Sequence, residues 1–291
     1  MDAPVSQKQA KATSIKLEAL SNRHEDEVLA FLSRRPIHTV FMAGLIRDNG
    51  LISYCNRGNF FGCRDEQDQL SGVALIGQKT LIETNDPAAF ETFATLVPDI
   101  NSAHLIRGEQ QQIESLLKTY AAAGRIPRLV RRELLLEQVT PARAIAPESK
   151  LRIACAADLE SVVAINAALA FEENGIDPRE RDRDGLRERT ARRISQGRVW
   201  VLTERGQMIF KADVISETPQ TAFVEGVYVL PEQRRKGYGL RCMTQLARKL
   251  LSRTGSICLV VNEENTRARV FYIKAGFSFC SQYNTAYFSA K

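Results

Sequence analysis

The stretch VEGVYVLPEQRRKGYG, residues 224–239, decides how the C-terminal half of this 291-residue chain folds. Residues 223–229 are rich in β-branched and aromatic side chains, and Pro231 ends the run, which predicts a buried strand. The turn that follows combines basic side chains with glycines: Arg234, Arg235, Lys236, Gly237 and Gly239. Glycine lets a backbone approach a ligand closely, and a helix that begins there presents free N–H groups and the positive end of its dipole. The stretch therefore predicts a strand, a phosphate-binding turn and a helix.

The residues after this turn predict the helix and then a second strand. Apolar side chains recur at helical spacing: Leu240, Met243, Ala247, Leu250 and Leu251. Gly255 is placed to end the helix, and residues 257–261 form a short apolar run that is typical of a strand buried on both faces. The unit strand, helix, strand predicts an α/β fold.

Other interpretations of the glycine-rich turn fit less well. A P-loop has its lysine after the last glycine and then Ser or Thr, whereas Lys236 precedes Gly237. A dinucleotide fingerprint requires a third Gly or Ala where Cys242 stands; it stays a minor alternative, with Glu263 as the ribose ligand. A solvated basic turn that binds no ligand is the purely structural alternative.

A second motif follows the second strand, and the two together carry a family resemblance. Asn265, Ala268, Tyr272, Gly276 and Phe277 match the pattern N-x-x-A-x-x-x-Y-x-x-x-G-F. With the R-x-x-G-x-G pattern of residues 234–239, the chain resembles the GNAT (Gcn5-related N-acetyltransferase) superfamily, of a two-domain bacterial type. The resemblance covers residues 150–291 and implies a central mixed β-sheet flanked by helices, in an α/β (α+β) fold.

The resemblance implies acetyl-CoA as the co-substrate and no metal. In the family, the strand pairs with the pantetheine arm and the loop amides hold the pyrophosphate. This implies the following cofactor-binding residues: Val227, Tyr228, Val229, Arg234, Arg235, Lys236, Gly237, Tyr238, Gly239 and Asn265. The residue content also predicts no metal site in the C-terminal half. No histidine follows residue 148, and no two cysteines there form a C-x-x-C pair.

The implied reaction is direct transfer of the acetyl group to a primary amine in a ternary complex. The amine must lose a proton, a tetrahedral oxyanion needs a preorganised N–H donor, and the CoA thiolate needs a proton. The resemblance places the oxyanion donor on the backbone of residues 227–229, beside a strand bulge. It places the hydroxyl of Tyr272 near the thioester sulfur, as the proton donor.

The base is a choice among several groups. Glu225 is the first candidate, and strand alternation predicts that it shares a face with Val227. A carboxylate in apolar company is either a base with a raised pKa or the partner of an arginine. Glu172, Glu173 or a chain of waters are the alternatives.

The N-terminal half shows a similar order of predicted strands and helices, so we predict a duplicated, degenerate GNAT-like domain. The turn that corresponds to the phosphate loop, residues 85–88, has neither glycine nor base, so this half should not bind CoA. We predict a disordered tail at 1–13, the N-terminal domain at 14–140, a proline-bounded linker at 141–149 and the acetyltransferase domain at 150–291. Residues 179–193 are dense in both charge signs, which is typical of a solvated helix, and the resemblance makes this region a lid over the acceptor site.

Composition sets the remaining expectations. The whole formal charge of +6 falls after residue 147, which suits an anionic cofactor, and the mixed signs do not favour nucleic acid. No apolar run approaches a membrane span, no signal peptide opens the chain, and the cysteines suit a reducing cytosol. We therefore expect a cytoplasmic N-acetyltransferase that acts on a primary amine, whose identity the sequence does not give. A homodimer is compatible with the sequence. The alternatives are a non-catalytic acyl-CoA-binding sensor and a nucleic-acid-bound regulator.

Overall fold

The computed structural model describes residues 15–96, 104–142 and 145–289. The tail predicted at residues 1–13 lies outside the described residues. Within them, strands from both halves of the chain join in one twelve-stranded mixed sheet, and helices pack on it.

The described part of the N-terminal half has six strands and four helices. The strands are β1 (Lys16–Ala19), β2 (Gly58–Arg64), β3 (Leu70–Gly77), β4 (Lys79–Thr84), β5 (Leu105–Glu109) and β6 (Leu129–Gln138). The helices are α1 (Glu25–Leu32), α2 (Pro36–Asn49), α3 (Pro87–Leu96) and α4 (Gln110–Ala122).

The described part of the C-terminal half repeats this order of strands and helices. Its strands are β7 (Arg152–Ile153), β8 (Val199–Glu204), β9 (Gln207–Glu217), β10 (Thr221–Val229), β11 (Ser256–Asn262) and β12 (Ser278–Tyr287). Its helices are α5 (Leu159–Asn174), α6 (Pro178–Ser195), α7 (Tyr238–Leu251) and α8 (Thr266–Ala275).

The strand order shows that the two halves have the same topology. The order is β1-β2-β3-β4-β5-β12-β6-β11-β10-β9-β8-β7, in which only β4–β5 and β10–β11 pair in parallel. From each outer edge inwards, each half runs through five of its own strands and then meets the last strand of the other half. The predicted mixed α/β fold with a second, GNAT-like half is confirmed.

The last strand of each half, β6 and β12, lies in the sheet of the other half. The two halves therefore share one sheet, which the predicted linker does not indicate. β6 precedes the predicted linker but pairs with β11, and β12 pairs with both β5 and β6. The predicted boundary at 141–149 therefore divides the chain in sequence, while the sheet continues across it.

The two parallel strand pairs are short and then separate. β10 pairs with β11 only through residues 221–223 and 256–258, and β4 with β5 only through residues 79–80 and 105–106. In β10 a register shift falls between Glu225 and Tyr228, where Gly226 has a φ of 60°. The separation of β10 from β11 opens a gap in the C-terminal part of the sheet.

Helix α7 lies over this part of the sheet on its apolar face. The buried residues Cys242, Met243, Leu246, Ala247 and Leu250 form that face. The helix ends at Leu251, before the predicted stop at Gly255. Gly255 has another role, because a Cβ there would lie 2.9 Å from the carbonyl oxygen of Gln220.

Candidate active site

A cleft of about 1080 Å³ opens where β10 and β11 separate. Helices α5 and α6 line one side of it, and α7 and α8 line the other. It brings together all but one of the residues predicted for the site: Glu225, Val227, Tyr228, Val229, Arg234, Arg235, Gly237, Tyr238, Gly239, Asn265 and Tyr272. Lys236 is the exception; it is exposed, and its ammonium donates to Gln233 at 3.0 Å.

The basic loop leads into α7 through two residues in the left-handed region. Arg235 has a φ of 65° and Gly237 a φ of 83°, and Gly237 is the N-cap of α7. The Nε of Arg234 donates to the carbonyl oxygen of Val229 at 3.1 Å, which folds the loop back over the end of β10. The first N–H groups of α7 have no acceptor within the helix and lie at the cleft wall, where they can bind an anion.

Gly239, in the first turn of α7, lets Phe271 and Val229 pack closely against the helix backbone. A Cβ on Gly239 would lie 3.0 Å from the ring of Phe271 and 3.1 Å from a methyl of Val229, so no side chain fits without displacement. The hydroxyl of Tyr238 donates to Glu204 at 3.0 Å, which leaves its backbone as the part that faces a ligand.

The corresponding turn in the N-terminal half has the opposite charge. At the start of α3, the carboxylate of Asp86 accepts from the N–H of Ala88 at 2.9 Å. A phosphate at this helix end would meet a carboxylate. That this half does not bind CoA stays a prediction.

Helix α8 places Tyr272 at the cleft. The side chain of Asn265 accepts from the N–H of Ala268 at 3.0 Å and caps the helix, and Gly276 ends it with a φ of 100°. The Tyr272 ring packs edge-on against Phe271 and Phe277, with ring centroids 5.1 and 5.8 Å away.

The hydroxyl of Tyr272 is a free proton donor within the described residues. No described group forms a hydrogen bond with it, and burial raises its pKa well above the ordinary value. A core tyrosine would have its hydroxyl bonded to a carbonyl, so this environment differs from a purely structural one.

The bulge in β10 changes which side chains share a face. Val224, Val227 and Val229 all pack in the core beneath α7, whereas Phe223 packs with Val40 of α2 on the other face. The prediction that Glu225 shares a face with Val227 is therefore wrong. The extra residue at Gly226, in the left-handed region, shifts the alternation by one.

Glu225 is bound by an arginine from the N-terminal half. Arg107 of β5 donates to Glu225 at 2.8 Å, lies 3.4 Å from Glu133 of β6, and lies 3.9 Å from Glu173 of α5. Burial raises the pKa of Glu225, but the charges of Arg107 and Lys79 more than offset this, so its pKa is lowered. Of the two readings that the sequence left open, the structure shows the arginine-paired one.

Glu173 is the carboxylate in the cleft with a raised pKa. Burial raises it, and the charge of Arg107 offsets only part of the effect. The hydroxyl of Tyr287 donates to this carboxylate at 2.9 Å. Glu172 also lines the cleft.

A fully buried lysine supports the bulge from behind. Lys211 of β9 lies 2.8 Å from Asp213 and also bonds Asn166 of α5. A Cβ on Gly226 would lie 2.6 Å from the Lys211 ammonium nitrogen. Burial lowers the pKa of Lys211, with the charge of Asp213 acting against it.

Helix α6 forms the outer wall on this side of the cleft. Residues 179–193 are helical as predicted, with a kink where Asp182 leaves the helical region. Arg193 bonds the Asp213 carboxylate at 3.0 Å, which ties α6 to β9, and Arg189 also lines the cleft. The lid role of this segment stays a prediction.

The structure adds three functional candidates that the sequence did not predict. Arg107 gave no signal, because it belongs to the half that was expected to be inactive. Lys211 and Asp213 did leave one: two charges at alternate positions within the apolar strand 207–217. Over residues 15–96, 104–142 and 145–289, no group of three or more His, Cys, Asp or Glu side chains could hold a metal ion. None of the helices in these ranges is both long and apolar enough to cross a bilayer.

Comparison with known proteins bears on the family and the fold of the chain. Residues 204–286 match the model of the family described as FR47-like protein. No curated protein matches the chain.

Several solved structures share the fold over nearly the whole chain. A Drosophila protein covers 94% of this chain and 98% of its own, with a TM-score of 0.67 and 13% identity. A tandem GNAT protein from the clavulanic acid biosynthesis pathway covers 94% and 98%, with a TM-score of 0.59 and 11% identity. A GNAT-family acetyltransferase from Colwellia psychrerythraea covers 95% and 100%, with a TM-score of 0.53 and 14% identity. The chain therefore shares the fold of these tandem and GNAT-family structures over nearly its whole length, and its residues 204–286 are similar to the FR47-like family.

Proposed function

We propose that this protein is an N-acetyltransferase that transfers the acetyl group of acetyl-CoA directly to a primary amine in a ternary complex. The observation that carries the proposal is the arrangement of the cleft around Gly226. The glycine-rich loop and Tyr272 lie on the α7–α8 side, and the ionised network of Arg107 lies on the α5–α6 side. Two reactants can thus approach the bulge from opposite sides of the sheet.

The cofactor would bind along β10 and the loop. Beyond Phe223, β10 has no pairing with β11, so residues 227–229 keep backbone groups free on that edge for a pantetheine arm. The amides of residues 235–239 and the α7 dipole would hold the pyrophosphate, with Arg234 and Arg235 at its rim. Asn265 lies on the same wall. Lys236, which is outside the lining, would add only a surface charge.

The chain's own groups can serve each proton transfer. Glu225, ionised through its contact with Arg107, would hold the incoming ammonium. We assign the base role to Glu173 in preference to Glu225, because a carboxylate with a raised pKa accepts a proton more readily at neutral pH. A backbone N–H of residues 227–229 would stabilise the oxyanion, and Tyr272 would protonate the departing thiolate.

Titration calorimetry with acetyl-CoA tests the cofactor site. Gly237→Glu places a bulky anion at the N-cap of α7, and we expect it to abolish binding. Gly206→Glu is the matched control, because Gly206 also has a positive φ and a Cβ there would meet no atom within 4 Å. Wild-type protein that is folded yet does not bind acetyl-CoA would refute the proposal.

A Tyr272→Phe variant separates the enzyme from a non-catalytic acyl-CoA sensor. We expect a large loss of turnover with the affinity for CoA retained, since the hydroxyl has no structural partner among the described residues. Turnover is measured as released thiol across a library of amines. A sensor would bind acetyl-CoA and release no thiol with any of them.

A further inference from the structure

Among the described arginines on the α5–α6 side of the cleft, Arg131 has a buried guanidinium nitrogen without a partner. Arg131 of β6 lines the cleft, and its Nε is shielded from solvent yet has no hydrogen-bond partner among the described residues. The neighbouring arginines are all engaged: Arg107 with three carboxylates, Arg189 with Asp182, and Arg193 with Asp213. A shielded N–H donor without an acceptor is unfavourable, so this position suits an acceptor that a ligand supplies.

The strand geometry places Arg131 on the side opposite the cofactor loop. Leu134 and Leu136 pack in the core beneath α7, whereas Leu135 packs on the α2 face with Phe223. Alternation puts Arg131 and Glu133 on the face of Leu135. Glu133 indeed contacts Arg107 there, and it accepts from Thr285 at 2.5 Å. Arg131 therefore belongs to the proposed acceptor side and not to the CoA side.

The charges on that side limit what Arg131 can bind. A guanidinium offers a planar fork of N–H donors that matches a carboxylate. Three carboxylates already surround Arg107 nearby, so a dianionic phosphate would meet more repulsion than a singly charged carboxylate does. The same carboxylates attract an ammonium.

We propose that the acceptor is a small amino acid-like molecule, whose carboxylate binds Arg131 while its ammonium faces Glu225 and Glu173. This inference rests on the proposed acetyltransferase function and adds the substrate class. Arg131 would then set specificity through binding and would take no part in the chemical step.

The test compares each amino acid with its decarboxylated amine. The pairs are glycine and methylamine, phenylalanine and phenethylamine, histidine and histamine, and lysine and cadaverine. Binding to the protein saturated with CoA is measured by calorimetry, and turnover is measured as thiol released from acetyl-CoA. We expect the amino acid of at least one pair to bind and react about tenfold or more better than its amine, the size expected for a charge-assisted contact.

Two variants on one strand assign the effect to Arg131. Arg131→Gln should raise the KM for the preferred amino acid about 10- to 100-fold, while kcat and the affinity for acetyl-CoA stay close to wild type. Arg132→Gln is the matched control, since Arg132 is the next residue of β6, is exposed and lies on the other face.

The outcomes separate the two proposals. If no amino acid binds the CoA complex better than its amine, or if Arg131→Gln changes nothing, the substrate class is refuted even though acetyl-CoA binds. If acetyl-CoA itself does not bind, the acetyltransferase proposal fails. In that case, amino acid binding that is lost in Arg131→Gln would still show that Arg131 binds a carboxylate.

Discussion

Replacing Arg107 by methionine removes the guanidinium that bonds Glu225 of the C-terminal half across the cleft and leaves an unbranched apolar side chain in its place. Arg107 is 13% exposed, and its partners Glu133 and Glu225 are 4% and 30% exposed. The substitution leaves both carboxylates without their guanidinium. We expect it to destabilise the fold and to weaken acceptor binding, while the loop on the α7 side keeps its affinity for acetyl-CoA.

The size of the effect follows from burial. Removing one partner of a buried ion pair costs roughly 3–5 kcal/mol, because the remaining charge is uncompensated. Since Glu225 stays partly open to the cleft, we expect the low end, about 3 kcal/mol. For a chain of this size each kcal/mol lowers Tm by roughly 2 °C, so the melting temperature should fall by about 6 °C.

The pH dependence of the loss identifies its cause. The folded-state pKa of Glu225 is lowered, so the pair stabilises the fold above the unfolded pKa, and this contribution is lost as pH falls through the folded pKa. Without Arg107, the effect of burial remains and the Glu225 pKa rises. The difference in unfolding free energy between variant and wild type should therefore be largest near pH 7 and smaller near pH 4.

Urea denaturation at both pH values measures this difference. Arg187→Met is the control, because Arg187 and its partner Glu160 are 55% and 72% exposed and such a pair contributes roughly 0–1 kcal/mol. A loss of under about 1 kcal/mol for Arg107→Met at pH 7, or one that grows towards pH 4, would refute the reasoning.

Three further predictions test other parts of the structure. Gly226→Ala places a Cβ 2.6 Å from the Lys211 ammonium, at a residue with a positive φ. We expect denaturation to show a loss of roughly 1–2 kcal/mol in unfolding free energy, and thiol release to show slower turnover. Unchanged turnover would remove the bulge from the mechanism. Deleting residues 278–289 removes the strand between β5 and β6, so circular dichroism should show loss of cooperative melting in both halves, and a stable N-terminal half would contradict this. Burial raises the pKa of Cys242 to about 12, whereas Cys155 is exposed. At pH 8 a thiol reagent should therefore label Cys155 before Cys242, as measured by peptide mass spectrometry. Equal labelling of the two cysteines in the native protein would contradict the buried position of Cys242.

Much of the fold could be predicted because local patterns were consistent. Strands β10 and β11 and helix α6 lie within two residues of their predicted ranges, and the motif glycines lie in the turns that the sequence predicts. Gly237 and Gly276 have positive φ, and Asn265 caps its helix. These features depend on the chemistry of neighbouring residues, which a single sequence shows directly.

The features that could not be predicted depend on contacts between residues distant in the chain. The pairing of Arg107 with Glu225 spans 118 positions, and no local pattern indicates it. The shift of alternation at Gly226 was likewise hidden, since glycine in a strand is compatible with several local geometries. Register and strand exchange are decided by the packing of the whole sheet.

The central position of β12 has a consequence for the order in which the protein can fold during synthesis. The ribosome makes β5 and β6 early, but the strand that fills the space between them is the last in chain order. Until residues 278–287 have emerged, both strands present open edges with unpaired N–H and C=O groups, which are prone to pair with other chains. The nascent N-terminal half must therefore wait through the translation of most of the C-terminal half before its sheet can close, a period in which a chaperone would have an exposed surface to bind.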